Sequence, residues 1–147
     1  MRTKKVIFSI LLLFSLFVFS QEKFSKFQQI KDAAQQENKS ILLKFSGSDW
    51  CIPCIKLQKK VIDDPVFQEY ISKNLVYIEA DFPRKKGKLS ADIITRNKEL
   101  ADIYNKQGVF PKMVLLNANG KILKTWEGFD NATVNTMIQE INQSTGK

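Results

Sequence analysis

Histidine is absent from the sequence, and cysteine occurs only twice. Without histidine the chain cannot build a Ser-His-Asp triad, a Cys-His protease pair or the usual imidazole zinc site. Cys51 and Cys54 lie three positions apart and cannot link distant parts of a fold, which excludes a disulfide-rich scaffold. They also lack the further thiol or imidazole groups that a zinc or iron–sulfur site within one chain requires, so no metal is expected.

The remaining composition is that of one ordinary globular domain. The chain has 147 residues, of which 44% are apolar, and its 11 phenylalanines are enough for a hydrophobic core. Lysine and arginine number 23 against 15 acidic residues, a net charge of +8. Because the basic residues are spread along the chain, this surplus does not indicate a nucleic-acid partner. The densest group, residues 84–88, is interpreted as a solvated loop.

The first twenty residues have the three parts of a secretory signal peptide. Three basic residues open the chain, residues 6–19 are almost wholly apolar, and Ser20 supplies a small residue at the end. We therefore predict cleavage after Ser20 and an exported domain over residues 21–147. The alternative is an uncleaved membrane anchor, but the apolar run is shorter than the roughly 20 residues that a spanning helix needs.

Hydrophobic periodicity divides the rest of the chain into alternating helices and strands. Helices are predicted over residues 24–37, 51–62, a short stretch after Pro65, 91–106 and 134–141, and strands over residues 41–45, 75–80, 113–116 and 121–126. Asn119-Gly120 is a strong hairpin signal between the last two strands. Parallel strands joined by helices and closed by one hairpin predict an α/β fold, a mixed central sheet with helices on both faces.

The segment 50–54, Trp-Cys-Ile-Pro-Cys, carries the chemistry. It follows a predicted strand and opens a predicted helix, so the two sulfurs lie on one side of the first turn and can form a disulfide. Cys51 would face free N–H groups at the helix start, which favour the nucleophilic thiolate, and Cys54 would resolve the mixed disulfide. Pro53 suits a helix start. The alternative is a purely structural disulfide, but closing so small a loop adds little stability.

Residues 45–54, Phe-Ser-Gly-Ser-Asp-Trp-Cys-Ile-Pro-Cys, resemble the active-site segment of the thioredoxin superfamily. Residues 108–111, Gly-Val-Phe-Pro, resemble the cis-proline loop of that family, and Gly128 follows the hairpin as in the family. The likeness covers roughly residues 24–141. Within the superfamily the chain is most similar to exported bacterial thioredoxin-like proteins, including the catalytic domain of the thiol:disulfide interchange proteins.

The resemblance implies a thioredoxin fold and a redox-active disulfide, with no other cofactor. Cys51 would attack, Cys54 would resolve, and the substrate groove would be formed by Trp50, Ile52, Pro53, Phe110 and Pro111. Pro111 would be cis, and the backbone of Phe110 would pair with an extended substrate. The implied setting is the bacterial periplasm, where a monomer acts on disulfide-containing exported proteins and receives electrons from a membrane reductase.

The sequence departs from the family pattern around the cysteines. Many members carry a buried Asp where this chain has Lys44, which either points inward and stabilises a thiolate or points outward; the outward orientation is favoured because lysine is rarely buried. Asp49, as an exposed carboxylate, would disfavour a thiolate. Together with Lys56 these residues are the candidate modulators of the thiol pKa values. Ile52-Pro53 carries no charge that would stabilise a thiolate, which favours a reducing couple.

Two interpretations of the function remain. The first is an exported protein-disulfide oxidoreductase, with reduction favoured over oxidation or isomerisation, or a narrower electron relay to one dedicated partner. The second is a peptide-binding or chaperone-like module of the same fold in which the cysteines are redox-idle. The basic segment over residues 81–97 either selects substrates or is a tolerated surface insertion.

Overall fold

The computed structural model describes residues 26–146 of the chain. The predicted signal peptide over residues 1–20 lies outside this part, as do the first five residues and the last residue of the predicted domain. Within residues 26–146 no helix is both long enough and apolar enough to cross a membrane.

Four strands form one mixed sheet. They are β1 (Ser40–Ser46), β2 (Leu75–Asp81), β3 (Lys112–Leu116) and β4 (Ile122–Glu127). Their spatial order is β2-β1-β3-β4, with β1 parallel to β2 and both other pairings antiparallel. The predicted hairpin connects β3 and β4, and Gly120 in its turn has a positive φ of 86°, a conformation that glycine adopts without strain.

Within residues 26–146, five α-helices connect and cover the strands, which confirms the predicted fold class. They are α1 (Lys26–Gln36), α2 (Ile52–Leu57), α3 (Pro65–Asn74), α4 (Ala91–Tyr104) and α5 (Val134–Thr145). The predicted helix over residues 51–62 is present but changes type, because α2 continues directly into a π-helical turn over Gln58–Ile62. Asp64 caps α3 by accepting a hydrogen bond from the backbone N–H of Val66.

Each face of the sheet carries its own hydrophobic core. Along β1, successive side chains alternate between the faces, so Leu43 and Phe45 belong to one core and Leu42 to the other. Buried residues of α1 and α4 complete the first core, while α2, the π turn, α3 and α5 complete the second. The prediction of helices on both faces is therefore confirmed.

Three connecting segments meet at one edge of the sheet. Ser46 and Asp81, at the carboxyl ends of β1 and β2, are register partners, because these two strands are parallel. Lys112, at the start of β3, lies opposite Phe45 near the end of β1. The segment after β1, the loop after β2 and the segment before β3 are consequently neighbours, and the cysteine pair lies among them.

Candidate functional site

The turn after β1 places Cys51 at the start of a helix. The carbonyl oxygen of Gly47 accepts hydrogen bonds from the backbone N–H groups of Trp50 at 3.2 Å and Cys51 at 2.9 Å, and α2 begins at the next residue. Cys51 and Cys54 are joined by a disulfide, with their Cα atoms 5.2 Å apart. The predicted pairing of the two sulfurs on the first turn of a helix is therefore present.

Both cysteines are buried, with 5% of Cys51 and 1% of Cys54 exposed. Cys54 is the deeper of the two, as its position one turn further along the helix predicted. The backbone N–H of Cys54 lies 3.3 Å from Sγ of Cys51 and donates to it. That donor favours negative charge on the sulfur of Cys51, the charge that a nucleophilic thiolate carries.

Trp50 is fixed against the sheet edge by contacts on several sides. Its Nε1–H donates to the carbonyl oxygen of Phe82 at 2.8 Å, and its ring packs edge-to-face with Phe110. The guanidinium of Arg84 lies 4.7 Å from the centre of a Trp50 ring. Gly47 leaves room for the indole, because a Cβ on that glycine would lie 2.3 Å from Trp50 Cε2. The aromatic residue beside Cys51 thus joins all three converging segments.

The segment before β3 contains a cis peptide bond between Phe110 and Pro111, the conformation that the family resemblance implied. Pro111 is buried, and its carbonyl oxygen accepts a hydrogen bond from the backbone N–H of Gly128 at 2.8 Å. Asn105 holds the residue that precedes this cis dipeptide, because its side chain forms hydrogen bonds with both the backbone N–H and the carbonyl oxygen of Val109. Sequence reasoning missed Asn105, since an asparagine after a helix ordinarily indicates only a helix end.

The dipeptide between the cysteines faces solvent. Ile52 is 67% exposed, and Pro53 is exposed as well. Lys56 is also exposed. An exposed apolar side chain beside a disulfide is available to contact another molecule, which agrees with the predicted substrate-facing position of Ile52.

The prediction that Lys44 points outward is wrong, because its side chain points inward and is fully buried. Nζ lies 2.9 Å from Oε1 of Glu79 on the neighbouring parallel strand, and it donates to the side-chain oxygen of Gln58 in the π turn. A buried ammonium needs partners of this kind to offset its lost hydration. The partners come from two other elements, so the sequence around Lys44 gave no sign of them.

Glu79 is the second residue that sequence reasoning missed. Its side chain is 34% exposed, and it lines a cavity of about 270 Å³ together with Cys54 and Gln58. A cavity of this size, with polar side chains such as Gln58 and Glu79 in its wall, has room for water. The parallel register between Lys44 and Glu79 would have revealed the pair, but that register is visible only once β1 and β2 are aligned.

Asp49 anchors the loop that follows β2. Its two carboxylate oxygens accept hydrogen bonds from the backbone N–H groups of Arg84 at 2.9 Å and Lys85 at 3.0 Å. These hydrogen bonds, first that of Arg84 and then that of Lys85, lower the pKa of Asp49 from its ordinary value of 3.8. Asp49 therefore connects the cysteine segment to the basic loop, a role that its position beside Trp50 did not predict.

Comparison with known proteins places this arrangement in a family. The sequence profile of the family described as a thioredoxin-like domain matches residues 27–143. The chain belongs to the thioredoxin-like domain family. Within residues 26–146 of this thioredoxin-like chain, no group of three or more His, Cys, Asp and Glu side chains is placed to hold a metal ion.

Two chlamydial proteins are similar to this thioredoxin-like chain. It is 33% identical over 101 residues to the disulfide bond reductase DsbH of Chlamydia pneumoniae, over 69% of this chain and 60% of that protein. It is 26% identical over 107 residues to the thioredoxin-related protein DsbJ of the same organism, over 73% of this chain and 30% of that protein. The chain thus spans less than two thirds of the length of either relative.

Solved structures agree on the fold. The structure of a DsbH oxidoreductase superposes with a TM-score of 0.72 at 30% identity, over 80% of this chain and 79% of that chain. A disulphide isomerase from Xylella fastidiosa Temecula1 gives a TM-score of 0.58 at 19% identity, over 86% and 95% of the two chains. At such low identity the second match supports the thioredoxin-like fold alone.

Proposed function

We propose that this thioredoxin-like chain is a protein-disulfide oxidoreductase that works mainly in the reducing direction on exported proteins. The observation that carries the proposal is the Cys51–Cys54 disulfide at the start of α2, beside the cis Phe110–Pro111 bond. A disulfide that closes so short a loop adds little stability, so a structural role explains it poorly. A redox role explains the short spacing, because the Cys51–Cys54 disulfide can then form and break with little movement of the backbone.

The reaction proceeds in two exchanges that together move two electrons. The Cys51 thiolate attacks one sulfur of a substrate disulfide, forming a mixed disulfide and releasing the other substrate sulfur as a thiolate. The Cys54 thiolate then attacks Sγ of Cys51, which releases the second substrate thiolate and leaves the Cys51–Cys54 disulfide. A dithiol donor on another protein reduces this disulfide again and is itself oxidised.

The second exchange requires that Cys54 lose its proton. Glu79 is the group that accepts it, by way of water in the cavity that both residues line. Lys44 is a positioning residue, since its buried ammonium holds the Glu79 carboxylate at 2.9 Å. The family pattern places a buried acid on β1, whereas in this chain β1 carries Lys44 and the acid, Glu79, lies on β2.

Two observations favour the reducing direction. Ile52 and Pro53 place no cation between the cysteines, so that dipeptide does not stabilise the dithiol form by charge. The similar chlamydial protein is described as a disulfide bond reductase. The predicted signal peptide supports action outside the cytoplasm, in the periplasm of a bacterium, and a reductant there needs electrons from a membrane partner.

Substitution of the cysteines tests the proposal. We expect Cys51→Ser to abolish the reduction of insulin by this chain with dithiothreitol as the donor. Cys54→Ser should instead accumulate mixed disulfides through Cys51, which mass spectrometry detects. Full insulin reduction by Cys51→Ser would refute the proposal. Peptide binding unchanged by the loss of both cysteines, without any reductase activity, would indicate the redox-idle binding module instead.

A further inference from the structure

Five basic side chains line a cavity of about 390 Å³ in the loop after β2 and the helix that follows it. The group, which we name the basic rim, consists of Arg84, Lys85, Lys86, Lys88 and Lys98. Between these residues the cavity wall is largely apolar and is built by Phe82, Leu89 and Ile94. The surface therefore combines positive charge with room for an apolar side chain.

The loop that carries four of the five basic-rim residues is attached to the cysteine segment. Asp49 binds the backbone of the loop at two consecutive residues, Arg84 and Lys85, and Trp50 binds the carbonyl oxygen of Phe82. The guanidinium of Arg84 lies over Trp50, the residue that immediately precedes Cys51. A polypeptide segment that reaches Cys51 along Trp50 consequently continues onto the rim.

The positive charge at the rim is only partly neutralised by this chain. Asp49 is occupied by backbone N–H groups, and Asp81 accepts hydrogen bonds from Ser48 while lying 3.9 Å from Lys88. Within residues 26–146, the side chains of Lys85 and Lys86 form no ion pair. Both side chains are exposed, so an incoming carboxylate can reach them.

We propose that the basic rim binds an acidic segment of the protein whose disulfide reacts with Cys51. Carboxylates of that segment pair with Lys85 and Lys86, and an apolar side chain beside them enters the cavity. Complementary charge of this kind mainly raises the rate of association and selects among partners. This inference rests on the proposed function and adds the substrate class to it.

Three synthetic peptides test the inference. Each carries one disulfide to a fluorescent reporter thiol, and they differ only in the three residues that flank the cysteine, which are Glu, Gln or Lys. The rate of reporter release by the reduced protein is measured by stopped-flow fluorescence. We expect the Glu peptide to react about tenfold faster than the Lys peptide in low salt, and the difference to collapse near 0.5 M NaCl, where the screening length is about 4 Å.

Two matched pairs of Lys-to-Glu substitutions test whether the preference for the Glu peptide depends on the basic rim. We expect Lys85→Glu with Lys86→Glu to reverse the preference between the Glu and Lys peptides. Lys31→Glu with Lys121→Glu changes the net charge equally but acts beside the β3–β4 turn, at the opposite end of the sheet. That control should keep the preference of the unmodified protein.

The outcomes separate the docking from the chemistry. Equal rates with all three peptides, or equal effects of both charge reversals, would overturn the inference and leave the oxidoreductase in place. A fastest reaction with the Gln peptide would indicate an uncharged occupant and would also overturn it. Fluorescence anisotropy with peptides that carry a fluorophore but no disulfide measures docking alone. Binding of the Glu form without any reaction would support the docking and refute the proposed function.

Discussion

Gly47 lies directly against the indole ring of Trp50. A Cβ at residue 47 would lie 2.3 Å from Cε2 of the indole, far inside contact distance, so Gly47→Ala must displace the ring. The displaced ring loses its hydrogen bond to Phe82 and its packing on Phe110. We expect reductase activity to fall about tenfold, because Trp50 no longer shapes the surface beside Cys51.

The displacement of Trp50 is visible by fluorescence. We expect a red-shifted emission from Gly47→Ala as the indole becomes more exposed. Trp126→Phe, made in both backgrounds, assigns the change to Trp50, because these are the two tryptophans of the chain. An unchanged spectrum together with unchanged activity would show that the turn relaxes without moving the indole.

Glu79→Gln tests the proton route. We expect the second exchange, the attack of Cys54 on the mixed disulfide, to slow by about tenfold to a hundredfold near neutral pH, the order that general-base catalysis contributes. The first exchange should keep its rate, because Cys51 does not depend on Glu79. The measurement is the release of a chromogenic thiol from the Cys51 mixed disulfide, followed by stopped-flow across pH 6 to about 10.

Glu69→Gln is the control for this prediction, since Glu69 is an exposed acid paired with Lys73 on the surface of α3. It should leave both exchanges unchanged. Recovery of the Glu79→Gln rate in alkaline solution would support the route, because hydroxide then removes the proton of Cys54. Identical pH profiles for Glu79→Gln and the unmodified chain would contradict it.

The error over Lys44 shows what a single sequence leaves open. Lysine is usually exposed, and the residues beside Lys44 in sequence are apolar, so the outward orientation was the reasonable expectation. The burial depends on Glu79 across the sheet and on Gln58 in the π turn. The cysteines were predictable from their local spacing, and Trp50 and Pro111 from the family resemblance, whereas the Lys44–Glu79 pair arises from tertiary contacts.

The loop after β2 depends on Asp49 for its attachment to the cysteine segment. We expect Asp49→Ala to increase the hydrogen exchange rate of the Arg84 and Lys85 amides about tenfold, because both lose their acceptor. Asp49→Asn retains one side-chain oxygen and should protect one amide at most. Unchanged exchange in Asp49→Ala, measured by nuclear magnetic resonance at neutral pH, would show that the other contacts of the loop, such as those of Phe82 with Trp50 and Ser46, hold it without Asp49.

The pH dependence of this attachment has a definite sign. The hydrogen bonds lower the folded-state pKa of Asp49 below 3.8, so the carboxylate stabilises the attachment fully above pH 3.8. The stabilisation is lost as the pH falls through the lower folded-state value, where the carboxyl becomes protonated. Protection of the two amides should therefore persist at mildly acidic pH and disappear only below it.

Secondary structure was largely predictable from periodicity, with two informative exceptions. The helix after the cysteines changes to a π turn, and that change brings Gln58 to Lys44, which no hydrophobic pattern indicates. Val66 in α3 and Ile103 in α4 are apolar residues within predicted helices, yet both are exposed. Hydrophobic periodicity alone therefore overestimates the buried face of these two helices.

The arrangement of the whole sheet was predictable only in part. Alternating helices and strands indicated a mixed sheet, and the Asn-Gly turn indicated the hairpin. The spatial order β2-β1-β3-β4 was not visible in the chain order, because β3 inserts beside β1 after a long connection. The position of β3 beside β1 brings Pro111 close to the cysteines. This placement of Pro111 was predicted from the family resemblance and not from hydrophobic periodicity.

The balance between the oxidised and reduced forms of the whole molecule determines the direction of electron flow. Because Ile52 and Pro53 provide no charge that stabilises the dithiol form, we expect a reduction potential near that of thioredoxin, about −270 mV, measured by equilibration with dithiothreitol. Disulfide reduction and unfolding form a closed thermodynamic cycle. The reduction potential of the folded protein, relative to that of the unfolded chain, therefore fixes the difference in unfolding free energy between the oxidised and reduced forms. A shift of about 30 mV corresponds to about 1.4 kcal/mol between the unfolding free energies of the two forms. We therefore expect denaturant unfolding to show that the oxidised form is more stable than the reduced form. A potential of about −180 to −120 mV, together with a more stable reduced form, would instead identify an isomerase or oxidase.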